Sequence, residues 1–272
     1  MGTINKVTRI YRKGPAMILY FSATGNNRFV ATELAKRLDD HAVSIAKMID
    51  DDRYEVSLAK GERLGFAFPT YFYGFPSIVS EFLQKLSGSS KGHYVYLVAS
   101  YGSSPGATPT FAKKLLDHSG ITIDAFFCIR MPDTWTPGFD LSDRDAVRRL
   151  NQAEPEQIDA IAEKILSGSV GNFMEHQHSY PVSKVAQGLY DGFARKTSHL
   201  SVGDSCIGCG LCAKRCPVQA IEMRDDRPVW VKERCVMCLR CLHSCPKFAI
   251  QYDKKTRSHG QYTHPTIVDQ DN

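Results

Sequence analysis

Short apolar runs alternate with amphipathic stretches through the first half of the chain. The runs predict five buried strands, at residues 16–21, 41–46, 63–68, 94–99 and 121–129. Between them, apolar residues recur at helical spacing, and one such stretch opens at Pro76, where the missing N–H of proline costs little. Buried strands that alternate with helices predict an α/β fold with a doubly wound, five-stranded parallel sheet covered on both faces.

The pattern changes after the fifth strand, because residues 142–200 show helical spacing only. A break is expected near Pro155, since proline disrupts the interior of a helix. Val185, Leu189 and Phe193 recur every four residues, so we expect this stretch to pack on another part of the protein. The predicted organisation is an N-terminal tail (1–15), a sheet domain (16–141), a helical connector (142–200), a small cysteine-rich α+β domain (201–252) and a C-terminal tail (253–272).

Eight of the nine cysteines form two copies of one pattern. The copies are Cys206-x-x-Cys209-x-x-Cys212-x-x-x-Cys216-Pro217 and Cys235-x-x-Cys238-x-x-Cys241-x-x-x-Cys245-Pro246. This is the spacing of bacterial modules that hold two iron–sulfur clusters, in which the fourth cysteine of each run binds the other cluster. We therefore predict two [4Fe–4S] clusters, one on set one (Cys206, Cys209, Cys212 and Cys245) and one on set two (Cys235, Cys238, Cys241 and Cys216).

Other uses of the cysteines fit the pattern less well. Zinc ribbons use paired knuckles rather than three cysteines followed by a fourth and a proline. Disulfides are rare in a reducing cytoplasm, where we place the protein because no apolar core follows the basic residues among positions 1–15. No run approaches the ~18 consecutive apolar residues of a membrane span. Cys128, the ninth cysteine, is expected to be a buried structural thiol.

The formal net charge of +5 does not indicate nucleic-acid binding once the clusters are counted. An oxidised four-iron cluster and its four thiolates together carry a charge of about −2. Two clusters bring the net charge to about +1, and a bound phosphate ester lowers it further by up to about two charges. We therefore expect no nucleic-acid partner.

The segment Ser22-Ala23-Thr24-Gly25-Asn26-Asn27 joins the first strand to the first helix. Backbone N–H groups at the start of a helix favour an anion, and the hydroxyls of Ser22 and Thr24 add donors. Neither G-x-x-x-x-G-K-[ST] nor G-x-G-x-x-G is present, which disfavours a triphosphate and a dinucleotide. The loop fits a phosphate monoester, and the alternative is a plain capped turn.

Two further loops follow strands on the same side of the predicted sheet. They consist of Pro69, Thr70, Tyr71, Phe72, Tyr73 and Gly74 after the third strand, and of Ser100, Tyr101 and Gly102 after the fourth. Ligands of open α/β sheets bind outside the carboxyl ends of the strands. Three loops that converge there, one of them rich in aromatic residues, suit a flat phosphorylated ring.

Residues 16–130 resemble flavodoxins, through the [ST]-x-T-G-N loop after strand one and the P-T-Y-x-x-G loop after strand three. The resemblance implies that the ligand is FMN, with its phosphate on residues 22–27 and its isoalloxazine ring between the loops at 69–74 and 100–102. Asn27 departs from the Thr or Ser usual in flavodoxins, although its amide is also a donor. The stacking residue is left open among Tyr71, Phe72, Tyr73 and Tyr101.

The whole chain resembles the flavodoxin–ferredoxin fusion proteins of anaerobic bacteria and archaea, in domain order, size and the Met131-Pro132-Asp133 segment after strand five. The resemblance implies electron transfer between [4Fe–4S] clusters and FMN, with redox proteins as partners. The alternative is an FMN-dependent reductase of a small organic molecule, such as a quinone or a deazaflavin. No catalytic residue stands out. The sequence also leaves open whether His264 folds back over a cofactor or lies at the surface.

Overall fold

The computed structural model describes residues 17–266, so the predicted N-terminal tail and the last six residues lie outside the described range. The strands are β1 (Met17–Tyr20), β2 (His41–Ser44), β3 (Glu55–Val56), β4 (Leu64–Pro69), β5 (Ser87–Gly88), β6 (Val95–Tyr101), β7 (Ala125–Arg130), β8 (Gly171–Asn172), β9 (Leu200–Val202), β10 (Ile221–Arg224), β11 (Arg227–Trp230) and β12 (Ile250–Tyr252). The helices are α1 (Asn26–Leu38), α2 (Ile45–Asp50), α3 (Ser77–Lys85), α4 (Thr108–Leu116), α5 (Arg144–Leu166), α6 (Tyr180–Leu189), α7 (Leu211–Lys214), α8 (Arg240–His243) and α9 (Thr256–His259). No helix within residues 17–266 is long and apolar enough to cross a membrane.

The main sheet has the order β2-β1-β4-β6-β7-β8, and every neighbouring pair is parallel. The five predicted strands are all present, and the two-residue strand β8 extends one edge. The second strand ends at Ser44, two residues earlier than predicted, because α2 begins at Ile45. The predicted doubly wound α/β fold is confirmed. The chain reverses its direction across the sheet between β1 and β4, which is the switch point where such sheets bind ligands.

Alternate residues of the central strands face opposite layers of the core. Leu19 and Phe66 pack on one face with α3 and α4, whereas Ile18 and Val98 pack on the other with α1 and α5. All four side chains are fully buried. Each contributes on the order of 2 kcal/mol through removal of apolar area from water. This two-sided core fixes the positions of the loops at the carboxyl ends of the strands.

The expected break at Pro155 is wrong, because α5 continues through this residue. Pro155 lies on the exposed side of the helix, while Ile158 and Ile161 on the other side are buried against the sheet. Their burial offsets the cost of proline in a helix, which is about 3 kcal/mol in an isolated case. Asp143 also caps the helix by accepting hydrogen bonds from the N–H groups of the first turn. Although α5 lies in the range predicted as a connector, it packs as one of the helices that cover the sheet.

The stretch that contains Val185, Leu189 and Phe193 packs on the protein as expected, but not through these three side chains. Val185, Leu189 and Phe193 are 68%, 61% and 57% exposed. The same segment is buried on its opposite side, through Ser183 and Tyr190. A π-helix over Tyr190–Ala194 follows α6 directly. Four-residue spacing identified one face of this segment, but the other face is the one that contacts the protein.

The C-terminal module consists of short elements around a small apolar core. β10 pairs with β11 and β12 pairs with β9, both antiparallel. The two cysteine repeats share a backbone conformation, because Gly208 and Gly210 in the first repeat have positive φ angles and so do Met237 and Leu239 in the second. Met237 and Leu239 are each 2% exposed and belong to the small core. Their burial offsets the cost of a backbone conformation that favours glycine.

Candidate cofactor and iron–sulfur sites

A cavity of about 420 Å³ lies at the carboxyl ends of β1, β4, β6 and β7. Its volume is in the range of small-molecule sites. Of the fifteen residues predicted to hold a cofactor, all except Gly25 and Gly74 line it. The further lining residues, which were not among the fifteen predicted cofactor contacts, are Ser103, Ser104, Met131, Pro132, Asp133, Thr134, Trp135, Gly138, Phe139, Ala186, Leu189, Tyr190, Met237 and Cys238.

One end of the cavity is formed by the loop that precedes α1. Gly25 has a φ of 103°, and no side chain of residues 17–266 caps the start of the helix. The Asn26 amide donates to the Pro132 carbonyl at 3.2 Å, and the Asn27 amide donates to Ser100 Oγ at 2.8 Å. The departure at Asn27 thus ties this loop to the end of β6.

At this end of the cavity, several buried polar atoms lack a partner within the protein, which indicates that a ligand binds there. Asn26 Oδ1, Asn27 Oδ1 and Thr70 Oγ1 are buried without a hydrogen-bond partner, although buried polar groups are normally paired. The uncapped N–H groups of α1 favour an anion. The N–H groups and the Thr70 hydroxyl fit the oxygens of a phosphate ester, which accept hydrogen bonds. The two amide oxygens are acceptors themselves, so they fit hydroxyl groups elsewhere on the bound molecule.

The aromatic loop is a tight hairpin. Tyr71 and Gly74 exchange backbone hydrogen bonds of 2.9 and 3.0 Å. Phe72 and Tyr73 between them have φ angles of 47° and 62°, which bulky residues rarely adopt. Strain of this kind costs about 1–3 kcal/mol per residue and concentrates at functional sites. The amide of Gln187, from α6, stabilises the hairpin by donating to the Tyr71 and Phe72 carbonyls.

Tyr190 joins the sheet domain to the C-terminal module. Its ring contacts Phe72 at a centroid distance of 5.5 Å. Its hydroxyl accepts the Ser77 N–H at 3.2 Å and donates to the Val236 carbonyl at 2.6 Å. Burial raises the pKa of this phenol, so it stays protonated and able to donate. The π-helix begins at this residue, and π-turns are frequent at functional sites.

The structure brings the eight repeated cysteines together in two groups of four. One small cavity is lined by Cys206, Cys209, Cys212 and Cys245, and another by Cys216, Cys235, Cys238 and Cys241. These groups coincide with set one and set two. Each set therefore contains three cysteines from one repeat and the fourth cysteine of the other.

One hydrogen bond to sulfur recurs in the two repeats. The Ala220 N–H donates to Cys216 Sγ at 3.2 Å, and the Ala249 N–H donates to Cys245 Sγ at 3.3 Å. Burial raises the pKa of the Cys235 thiol to about 11 and that of Cys238 to about 12. Such thiols become thiolates only where bound iron supplies positive charge. Four thiols around each small cavity are thus a donor set that fits an iron–sulfur cluster.

Set two shares a wall with the large cavity. Met237 and Cys238 line both the large cavity and the small cavity of set two, whereas no residue of set one lines the large cavity. Trp135, also in the wall of the large cavity, packs on Tyr252 of the C-terminal module at a centroid distance of 5.2 Å. No sequence motif indicated this contact, which arises from the packing of the two parts of the chain.

The C-terminal tail folds back onto the sheet domain. The His264 N–H donates to the Thr24 carbonyl at 2.8 Å, and the His264 ring hydrogen-bonds to buried Glu154 at 2.7 Å. Gln261 donates to the Leu242 and Cys245 carbonyls in the C-terminal module. The tail therefore connects the backbone of the loop at 22–27 with the cysteine-rich module. Cys128 lies half-buried in β7, away from both cysteine sets.

Comparison with known proteins agrees with this architecture. A family model for a flavodoxin domain matches residues 17–160. The chain belongs to the flavodoxin family. A second model, for a 4Fe–4S dicluster domain, matches residues 200–259. A flavodoxin domain implies FMN, a 4Fe–4S domain implies iron–sulfur clusters, and the combination implies electron transfer.

Individual relatives match only one part of the chain each. An uncharacterized polyferredoxin-like protein of Methanocaldococcus jannaschii is 40% identical over 18% of this chain and 37% of its own length. A ferredoxin of Pyrobaculum islandicum is 40% identical over 17% of this chain and 45% of its own. The chain thus spans less than half the length of these curated relatives.

The solved structures similar to this chain are flavodoxins and flavoproteins. A flavodoxin from the domain Archaea has 18% identity and a TM-score of 0.32, over 56% of this chain and 99% of that protein. The two-electron reduced flavodoxin of Megasphaera elsdenii has 21% identity and a TM-score of 0.34, over 55% of this chain and 98% of that protein.

Proposed function

We propose that the protein binds one FMN in the large cavity and one [4Fe–4S] cluster on each cysteine set, and that it transfers electrons between the clusters and FMN. The start of α1 and residues 22–27 hold the phosphate, and the loops at 69–74 and 100–102 hold the ring. FMN exchanges one or two electrons, so it links one-electron clusters to two-electron partners. The chain positions the groups and excludes water from the space between them.

The wall shared by set two and the large cavity carries this proposal. Because Met237 and Cys238 border both spaces, the cluster on set two lies next to the flavin and the cluster on set one lies farther away. Electrons would then pass between set one, set two and the ring in that order. Tyr190 maintains this arrangement through its hydrogen bonds to Ser77 and Val236.

The cluster on set one has an accessible edge for a redox partner protein. Cys209 is exposed, and its neighbour Ile207 is 59% exposed. A partner that docks there contacts the end of the path opposite the flavin. We also place the protein in a reducing cytoplasm, because the cluster ligands must not form disulfides. All nine cysteines are free of disulfides in the structure.

A second candidate function, reduction of a small organic molecule at the flavin, is favoured by one observation. Ala186 and Leu189 of α6 line the large cavity, and Leu189 is 61% exposed. The cavity therefore reaches an apolar surface where a quinone or a deazaflavin can approach. Steady-state turnover with such a compound, and its loss when Leu189→Lys charges this rim, would favour the reductase.

The composition of anaerobically purified protein tests the proposal. The expected result is about eight iron, about eight acid-labile sulfide and about one FMN per chain. Protein that contains zinc, or no flavin, would contradict it. In flash photoreduction, clusters and flavin are expected to exchange electrons within one molecule, at a rate independent of protein concentration. A rate proportional to concentration would contradict transfer between the two sites.

A further inference from the structure

The described residues that line the large cavity include one carboxylic acid and no cationic side chain. Among the described residues that line it, Asp133 is the only Asp or Glu, and none is Lys, Arg or His. Among the described residues of the wall, the only charged side chain therefore has the same sign as the phosphate of the expected ligand.

Asp133 is held against the loop that is expected to contact the ring. Its Oδ1 accepts the Trp135 N–H at 3.0 Å. A Cβ atom on Gly102 would lie 2.3 Å from Asp133 Cβ and 2.5 Å from Oδ2, so the carboxyl packs directly on the backbone of Gly102. Only glycine at position 102 leaves room for the Asp133 carboxyl. The geometry therefore fixes the carboxyl beside the loop at 100–102.

The surroundings of Asp133 do not stabilise its negative charge beyond one hydrogen bond. Desolvation raises the pKa of its carboxyl to about 6, and the hydrogen bond from Trp135 opposes this effect. The other titratable groups that line the cavity are the phenols of Tyr71, Tyr73, Tyr101 and Tyr190 and the thiol of Cys238. Burial raises the pKa of the Tyr71, Tyr101 and Tyr190 phenols, so these three groups stay neutral near pH 7.

We propose that Asp133 takes up a proton when the ring bound in this cavity is reduced and releases it when the ring is reoxidised. The inference rests on the proposed function. The clusters deliver two electrons one at a time, a ring nitrogen gains one proton from solvent, and the ring then carries one additional negative charge. A like charge this close disfavours the carboxylate, so Asp133 binds a second proton from solvent and forms an O–H bond. Oxidation by a partner reverses both steps.

Infrared difference spectroscopy of the holoprotein tests this assignment. Reduction at about pH 7.5 is expected to produce a carboxylic acid C=O band that shifts in heavy water and is absent from Asp133→Asn. Asp140→Asn is the matched control, because Asp140 also accepts the backbone N–H two residues ahead but is exposed. A pH indicator measures the protons that the protein takes up from solvent on reduction. For each pair of electrons, Asp133→Asn is expected to take up about one proton fewer than wild type and Asp140→Asn.

Equal proton uptake by wild type and Asp133→Asn, or a band that persists in the variant, would overturn the assignment. Wild-type protein labelled with ¹³C at the aspartate carboxyls is an independent measurement that needs no substitution: the band must move with the label. The FMN content of each sample separates the two hypotheses. Wild type without FMN contradicts the proposed function, whereas wild type with FMN and no carboxylic acid band contradicts only the role of Asp133.

Discussion

Replacement of Tyr190 by phenylalanine tests how the two halves of the molecule are held together. The change keeps the ring beside Phe72 but removes the hydroxyl, which leaves the Ser77 N–H and the Val236 carbonyl without their partner. Each buried polar group that loses its partner costs about 1–3 kcal/mol, so we expect the loss of both partners in Tyr190→Phe to destabilise the contact by at least about 2 kcal/mol. Since about 1.4 kcal/mol corresponds to a tenfold change in an equilibrium constant, the open form becomes at least about 30-fold more populated.

Amide hydrogen exchange is the assay, because it reports local opening without global unfolding. We expect the exchange rate of peptides that cover 186–199 and 233–239 to rise by this factor in Tyr190→Phe, while peptides from β4 and β6 are unchanged. Tyr180→Phe is the control, since Tyr180 lies at the start of α6, which leads directly into the π-helix of Tyr190, and its contacts with Phe111 and Lys114 involve the ring. Exchange that is the same in both variants and in wild type would refute the role given to Tyr190.

Three further changes have defined outcomes. Gly102→Ala places a Cβ atom 2.3 Å from Asp133 Cβ, so we expect this variant to bind FMN at least tenfold more weakly in a fluorescence titration. Gly188→Ala is the control: the space around Gly188 is open, so the affinity for FMN is expected to stay unchanged. Folding raises the pKa of the Asp133 carboxyl from 3.8 to about 6, so the free energy of unfolding of the flavin-free protein should fall by up to about 3 kcal/mol as the pH rises from about 4 to 6. Urea unfolding measures this free energy, and in Asp133→Asn the fall should be absent. Cys238→Ser should slow flavin reduction and lower the iron content, and Cys128→Ser should change neither; equal effects would contradict the ligand assignment.

The main features of the fold were predictable because they depend on short-range patterns. The five strands and the helices between them follow from apolar periodicity, and the cysteine spacing alone indicated which residues of the two repeats share a cavity. The sequence pattern was insufficient where tertiary contacts outweigh local preference. Pro155 lies within α5 because the buried face of that helix compensates for it, and the apolar side chains spaced along 185–193 are exposed because Tyr190 and Ser183 on the other face make the contact.

The residues of the candidate site likewise comprise some that local sequence patterns indicated and others that only tertiary contacts brought to the cavity. The loops at 22–27, 69–74 and 100–102 were recognisable, since each follows a strand in sequence and carries its own motif. Asp133, Tyr190 and Cys238 were not recognisable as members of the cavity, because they come from separate segments that meet only in the folded chain.

The sequence by itself determined the layers of the sheet, the loop suited to a phosphate and the two cysteine sets, because each is encoded by residues at fixed and short spacing. Only the tertiary structure decided that set two borders the large cavity, that Gly102 makes room for the Asp133 carboxyl and that the tail reaches the Thr24 carbonyl. The physical reason is that these contacts join residues distant in the chain, so they depend on how the domains pack rather than on local spacing.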